Sequence, residues 1–276
     1  MTIDSHQHFW KYDPVKHSWI NDEMSVLQQD YLPSDLKKLY KEANIDGCIA
    51  VQADQSEKET EFLLDLAKKN TFIKGIVGWV DLRSDTLEDR LKYYSNHKII
   101  KGFRHVVQDE PDPEFIIGDQ FKKGIALLNQ YGFAYDILIF PHQLEASLKL
   151  IEEFPEHRFV IDHIAKPKIK DRLIDDWQRI MQAIATYKNV YCKVSGMVTE
   201  ADWSGWKYED FVPYLDIIFK AFGNDRIMYG SDWPVCLLGG NYSAVKGIID
   251  QYISDFSKEE KQKIMGGNAI QFYKIS

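Results

Sequence analysis

Eight short, apolar, β-branched runs alternate with longer segments of helical periodicity over 276 residues, and the composition shows no break. Together these observations predict a single-domain (β/α)8 barrel spanning residues 1–276. Length alone would also allow two ordinary domains. No short-period repeat, low-complexity tract or Pro/Gly-rich linker marks a boundary, so one domain is expected. Strands are predicted at Ile3–His6, Gly47–Gln52, Gly75–Val80, Ile100–His105, Ala134–Leu138, Phe159–His163, Val190–Val194 and Ile227–Gly230. Most are continuous apolar runs without alternation, as parallel strands buried on both faces should be.

Between the strands, Glu59–Lys69 carries Phe62, Leu63, Leu66 and Ala67 at helical spacing. Leu87–Tyr94, Asp119–Tyr131, Leu144–Phe154, Ile174–Tyr187, Tyr208–Phe222 and Ala244–Ser254 behave the same way. Asp119 and Ser257 are predicted N-caps, and Gly132 and Gly223 predicted C-terminal stops. Two long connections stand out. Phe9 to Leu32 is rich in Trp, Tyr and Asp, and Thr199 to Tyr208 contains Trp203 and Trp206. Each follows a strand, so each should lie on the catalytic face of the barrel.

The net charge of −8 argues against a nucleic-acid partner. No apolar run approaches the roughly 20 residues needed to span a bilayer. Cys48, Cys192 and Cys236 have no metal-type spacing, which suits free thiols in a reducing compartment. With Asp4 and His6 near the start, no signal peptide is expected. The expectation is a cytoplasmic protein acting on a small molecule, with neither nucleic acid nor membrane as partner.

Residues i and i+2 of a strand share a face, so His6-Gln7-His8 presents two imidazoles side by side. Alone, such a pair fits two ordinary half-buried histidines. The other strand ends add Gln52, Arg104-His105, His142 beyond Pro141, Asp162-His163, Lys193 and the Asp232 of Ser231-Asp232-Trp233-Pro234. As packing residues each would need its own buried partner; as a set they converge on one volume. Asp232 could cap the following turn, or serve as metal ligand or general base facing His6, His8 and His163. Strand alternation ranks Asp162 below His163 and allows only one of Arg104 and His105 to point inward. Lys193 could be a paired buried lysine or an oxyanion-stabilising charge.

In this pattern the chain resembles the amidohydrolase superfamily, and within it the sugar-lactonase branch that includes L-fuconolactonases and L-rhamnonolactonases. The resemblance covers nearly the whole chain. It is carried by Ile3–Trp10 (IDSHQHFW), Asp30–Leu36 (DYLPSDL), Val51–Ala53 with Glu59-Thr60, Val77–Leu82 (VGWVDL) and Gly102–His105 (GFRH). Ile161–Pro167 (IDHIAKP), Tyr191–Gly196 (YCKVSG), Glu200–Trp203 (EADW) and Met228–Val235 (MYGSDWPV) complete it.

The resemblance implies that His6, His8, His163 and Asp232 form a metal-or-water constellation. Asp232 would activate water and then protonate the departing alkoxide. His105 and Lys193 would polarise the carbonyl; Gln52, Arg104, His142 and Trp203 would bind substrate. Binuclear relatives bridge two metals with a lysine at the end of strand four. Here that end is Arg104-His105, which leaves one divalent ion, zinc or manganese, or none. The expected reaction is hydrolysis of a small sugar lactone. The rivals are a metal-dependent decarboxylase, an amide or phosphoester hydrolase, and a barrel that only binds a sugar acid. Neither Gly-x-Ser-x-Gly nor a base beside Cys192 suggests a covalent nucleophile.

Overall fold

The computed structural model describes residues 1–275. Eight strands, β1 (Ile3–Gln7), β2 (Gly47–Val51), β3 (Ile73–Gly78), β4 (Ile100–Val106), β5 (Ala134–Leu138), β6 (Phe159–Ile161), β7 (Val190–Val194) and β8 (Ile227–Tyr229), pair in chain order. Every pairing is parallel. The sheet curls back on itself where the end of β1 meets the segment after β8. Asp232 N donates to His6 O at 2.8 Å and His8 N to Trp233 O at 2.7 Å. This is the (β/α)8 barrel that the sequence predicts.

The outer layer comprises α1 (Pro33–Ala43), α2 (Glu57–Lys69), α3 (Leu87–Ser95), α4 (Asp119–Gln130), α5 (Leu144–Glu153), α6 (Asp175–Ile184), α7 (Tyr208–Phe222) and α8 (Tyr242–Tyr252). Two short helices, α9 (Lys258–Gln262) and α10 (Asn268–Tyr273), follow. Local chemistry sets several ends. Ser56 caps α2 by accepting from Glu59 N, and Ser257 forms a capping box with Glu260 at the start of α9. Gly132 and Gly223, at φ 73° and 69°, take positive φ just past α4 and α7, a conformation that suits glycine. Asp119 is the first residue of α4 rather than its cap, a position held by Gly118. The sequence reading lacks α1 and α10. The first has Pro33 in its opening turn and buries Leu36 and Tyr40.

The main core lies between sheet and helices. A second cluster fills the barrel's lower interior, where Ile3, Ile49, Val51, Val77, Val160 and Met228 meet Phe272 and Tyr273 of α10. The C-terminal helix therefore plugs the end of the barrel opposite the strand C-termini. Among the described residues, no helix is long and apolar enough to cross a membrane.

Candidate active site

A cavity of about 540 Å3 opens at the C-terminal ends of the strands. His8, Arg104, His163 and Asp232 reach its floor. The two long connections supply aromatic walls, Trp10 and Trp19 from one and Trp203 from the other. Trp206 instead packs on Phe211 and donates to Gly239 O. A second concavity of about 470 Å3, around Tyr191, Arg226 and Lys263, contains none of the candidate residues.

Asp232 sits in a left-handed backbone conformation, φ 57°, just past β8. The backbone bonds to His6 and from His8 fix this segment against β1. Beneath it, the Asp4 carboxylate accepts from Ser231 N at 2.9 Å, from His6 N at 3.2 Å and from the Tyr40 hydroxyl at 3.0 Å. Gly230 is required for this approach, because a Cβ there would lie 2.8 Å from His6 Cβ. The result places Asp232 Oδ1 3.4 Å from His8 Nε2 and 3.9 Å from the Nε2 atoms of both His6 and His163.

The imidazoles are oriented from behind. His8 Nδ1 lies 2.8 Å from Val51 O, so it carries the proton and leaves Nε2 bare toward Asp232. His163 Nδ1 meets Ser195 Oγ at 2.9 Å. Gly196 packs under the same ring, where a Cβ would come within 2.4 Å of Nδ1. His6 has Asp162 Oδ1 3.3 Å from Nδ1 and Arg104 Nη1 3.2 Å from Nε2, which favours the Nδ1–H tautomer. Burial pushes the pKa of His6 and His163 well below the ordinary imidazole value. Burial alone would raise the Asp232 carboxyl. His163, His8 and the nearby Lys166 charge outweigh it and hold the carboxyl below its usual range. An ionised carboxylate thus faces three imidazoles on the cavity floor.

The other expected site residues divide. Arg104 points inward, its Nη1 donating to Asp162 Oδ2 at 3.1 Å and its Nη2 to Gln52 O at 2.6 Å. Gln52 is wholly buried and returns a bond to Arg104 O, so it clasps the arginine rather than lining the cavity. His105 points outward, as alternation requires once Arg104 points in. It bonds Glu110 Oε1 at 2.6 Å and stacks on Phe115, away from the cavity. His142 is exposed beside Phe140, also off the cavity. Lys193 lies below the floor with no exposed surface. Its Nζ is 2.5 Å from Asp136 Oδ2, 3.0 Å from Asp162 Oδ1 and 3.2 Å from His6 Nδ1.

Asp162 is central, contrary to its low rank in the sequence. The sixth strand stops at Ile161, two residues before the predicted end, and the chain enters a left-handed turn. Val160 faces the barrel interior and Ile161 the helices, so the register itself carries Asp162 inward, and the turn then brings His163 to the same side. Burial opposes ionisation of Asp162, but Lys193, His6 and Arg104 drive its pKa well below the ordinary value. Asp4, Asp136, Lys166 and Glu200 were also not singled out. Of these, Asp4, Lys166 and Glu200 carry a sequence signal, as members of the Ile3–Trp10, Ile161–Pro167 and Glu200–Trp203 stretches, and Asp136 carries none.

The donor set fits one metal ion. Two ligands about 2.1 Å from a tetrahedral ion lie roughly 3.4 Å apart, close to the His8–Asp232 separation. His6, His8 and Asp232 bring ligand atoms within 4.8 Å of one another, and His6, Asp162 and His163 form an overlapping group. An ion using His6 would displace Arg104 from its Nε2. No lysine among the described residues bridges to a second position. Lys101, at the start of β4, bonds Lys274 O at the opposite end of the barrel.

Such a floor can activate water against a small polar ester or amide, which places the molecule among the barrel hydrolases. Residues 3–275 match the amidohydrolase family, and the chain belongs to it. It is 38% identical to an L-fucono-1,5-lactonase of Burkholderia multivorans over an alignment covering 100% of this chain and 96% of the relative. A second L-fucono-1,5-lactonase, from Burkholderia ambifaria, is 32% identical, with 99% and 95% covered. A crystal structure of an amidohydrolase from Burkholderia multivorans with bound zinc superposes with a TM-score of 0.96 at 37% identity, covering 100% of both chains.

Proposed function

We propose that the protein opens a sugar lactone by attack of water, with Asp232 as the general base. The observation that carries this reading is the ionised Asp232 facing His6, His8 and His163 at the floor of a cavity walled by Trp10, Trp19 and Trp203. Indole faces suit the C–H faces of a monosaccharide, and the surrounding carboxylates and amides suit its hydroxyls. The two curated relatives point to L-fucono-1,5-lactone or a stereochemical neighbour as substrate.

In the forward reaction Asp232 takes a proton from water as its oxygen bonds to the lactone carbonyl carbon. The tetrahedral adduct then breaks the ring C–O bond, and Asp232 returns the proton to the ring alkoxide. The product is the open hydroxy acid. The three imidazoles surround Asp232 and the water, while their backing contacts to Val51, Asp162 and Ser195 keep them from rotating. A divalent ion, zinc or manganese, held by His6, His8, His163 and Asp232 would supply Lewis acidity to this site. Decarboxylation is less well served, because Arg104 is already committed to Asp162 and Gln52 O rather than free for a substrate carboxylate.

The test is a screen of aldonolactones with a pH indicator, in the presence and absence of chelator, measured above the spontaneous rate. Acid release from a deoxyhexono-1,5-lactone is expected. The chelator arm reads whether an ion contributes. Release of carbon dioxide from a carboxylated substrate, with no lactone opened, would overturn the reading.

A further inference from the structure

The two cations expected to contact substrate, Lys193 and Arg104, are both occupied. Lys193 is sealed beneath the floor between Asp136 and Asp162, and Arg104 spends Nη1 and Nη2 on Asp162, His6 and Gln52 O. A third cation reaches the cavity without such commitments. Lys166 lines it with a side chain only 17% exposed. Its Nζ stands 3.6 Å from Glu200 Oε1, beyond hydrogen-bond length, and 5.3 Å from the centre of the Phe140 ring. Glu200 lines the same cavity and is 19% exposed.

The backbone explains how Lys166 gets there. His163, Ile164, Ala165 and Lys166 run consecutively in the left-handed region, at φ 53°, 47°, 58° and 48°. For residues with a Cβ this conformation costs roughly 1–2 kcal/mol each, and such strain concentrates at functional sites. The turn is locked by burial of Ile164 and Ala165, by a 2.7 Å bond from Trp177 Nε1 to Ile164 O, and by Lys166 N donating to His163 O at 2.8 Å. Its effect is to deliver two side chains, His163 and Lys166, to one cavity. A strand continued from Ile161 would put these two residues, three apart, on opposite faces.

We propose that Lys166 is a catalytic residue that places its ammonium on the carbonyl oxygen of the bound lactone and stabilises the tetrahedral oxyanion, with Glu200 as the residue that positions it. The proposal rests on the lactonase reading above. A charge aimed at the oxygen that becomes anionic is stronger in the transition state than in the ground state, so it acts on kcat rather than KM.

The experiment uses L-fucono-1,5-lactone as probe, with wild type, Lys166→Met, Lys166→Arg, Lys166→Cys and Glu200→Gln, each checked for an unchanged melting curve. Lys166→Met is expected to lower kcat by about 100- to 1,000-fold with KM within about threefold. Lys166→Arg should keep part of the rate. Glu200→Gln should lower kcat by about tenfold, since it loosens a positioning contact only. The three native cysteines are buried, so bromoethylamine can alkylate folded Lys166→Cys at the cavity and rebuild an ammonium. That treatment should raise its kcat at least about tenfold. A Lys166→Met protein with wild-type kcat, a loss confined to KM, or no recovery on alkylation of the folded Lys166→Cys protein would overturn the proposal while leaving the lactonase reading intact. Wild type that opens no lactone would overturn that reading, and this proposal with it.

Discussion

The barrel holds two layers of polar groups built from the same residue types. The upper layer, His8, His163, Asp232 and Lys166, faces a cavity and keeps unused lone pairs or donors. The lower layer, Lys193, Asp136, Asp162 and Tyr273, is wholly buried and closed on itself. Lys193 bridges the two aspartates, and the Tyr273 hydroxyl donates to Asp136 at 2.7 Å. His6 and Arg104 are the joint between them. One layer is fit for chemistry because its partners are incomplete; the other holds the first in place because its partners are nearly complete. Residue type does not separate them, but access to the cavity does.

The largest effect should come from opening the lower layer. Lys193→Met leaves Asp136 and Asp162 without their shared cation, and a buried charge stripped of its partner costs about 3–5 kcal/mol. Denaturant unfolding should read that loss, and a loss below about 1 kcal/mol would mean that the layer is not a scaffold.

Glu59 belongs to neither layer. It is 9% exposed and accepts from Ala53 N at 3.2 Å behind the cavity wall. Burial, reinforced by Asp54 and opposed by the Ala53 bond, raises its carboxyl to about 7. The folded state therefore binds this proton more tightly than the unfolded state does. Its contribution to stability is full at low pH and falls as pH rises from the unfolded value, about 4.3, to about 7, by at most about 3 kcal/mol. Glu59→Gln should flatten that slope in melts taken across the window. An identical slope in both proteins would place the titration elsewhere.

The smallest effect concerns the upper layer's wall. Trp203→Ala removes an indole from the cavity and should raise KM about tenfold, or roughly 1.4 kcal/mol, with little change in kcat. An unchanged KM would remove Trp203 from the substrate's surroundings.

Much of this arrangement is legible in the sequence, for physical reasons. Buried parallel strands are continuous apolar runs, so all eight can be found. Strand ends are where barrel chemistry lies, so His6, His8, His163 and Asp232 stand out. Alternation also predicts that only one of Arg104 and His105 faces inward. What alternation lacks is depth. It assigns Lys193 to the barrel interior but cannot say that the residue lies below the floor rather than on it. It fails outright after Asp162, where the left-handed turn brings His163 and Lys166 inward. Nothing in Asp162–Lys166 signals such a turn, because no glycine occupies it. The plug formed by α10 escapes for a related reason. Phe272 and Tyr273 are too few to show a helical period, and only tertiary packing gives them a role.

The central claim is that Asp232 performs chemistry while the layer beneath it provides structure. Asp232→Asn tests this most directly, with lactone hydrolysis and thermal unfolding measured on the same sample. Loss of the base should lower kcat by at least about 1,000-fold with a melting temperature within a few degrees of wild type. Near-wild-type hydrolysis by a folded Asp232→Asn protein would contradict the account.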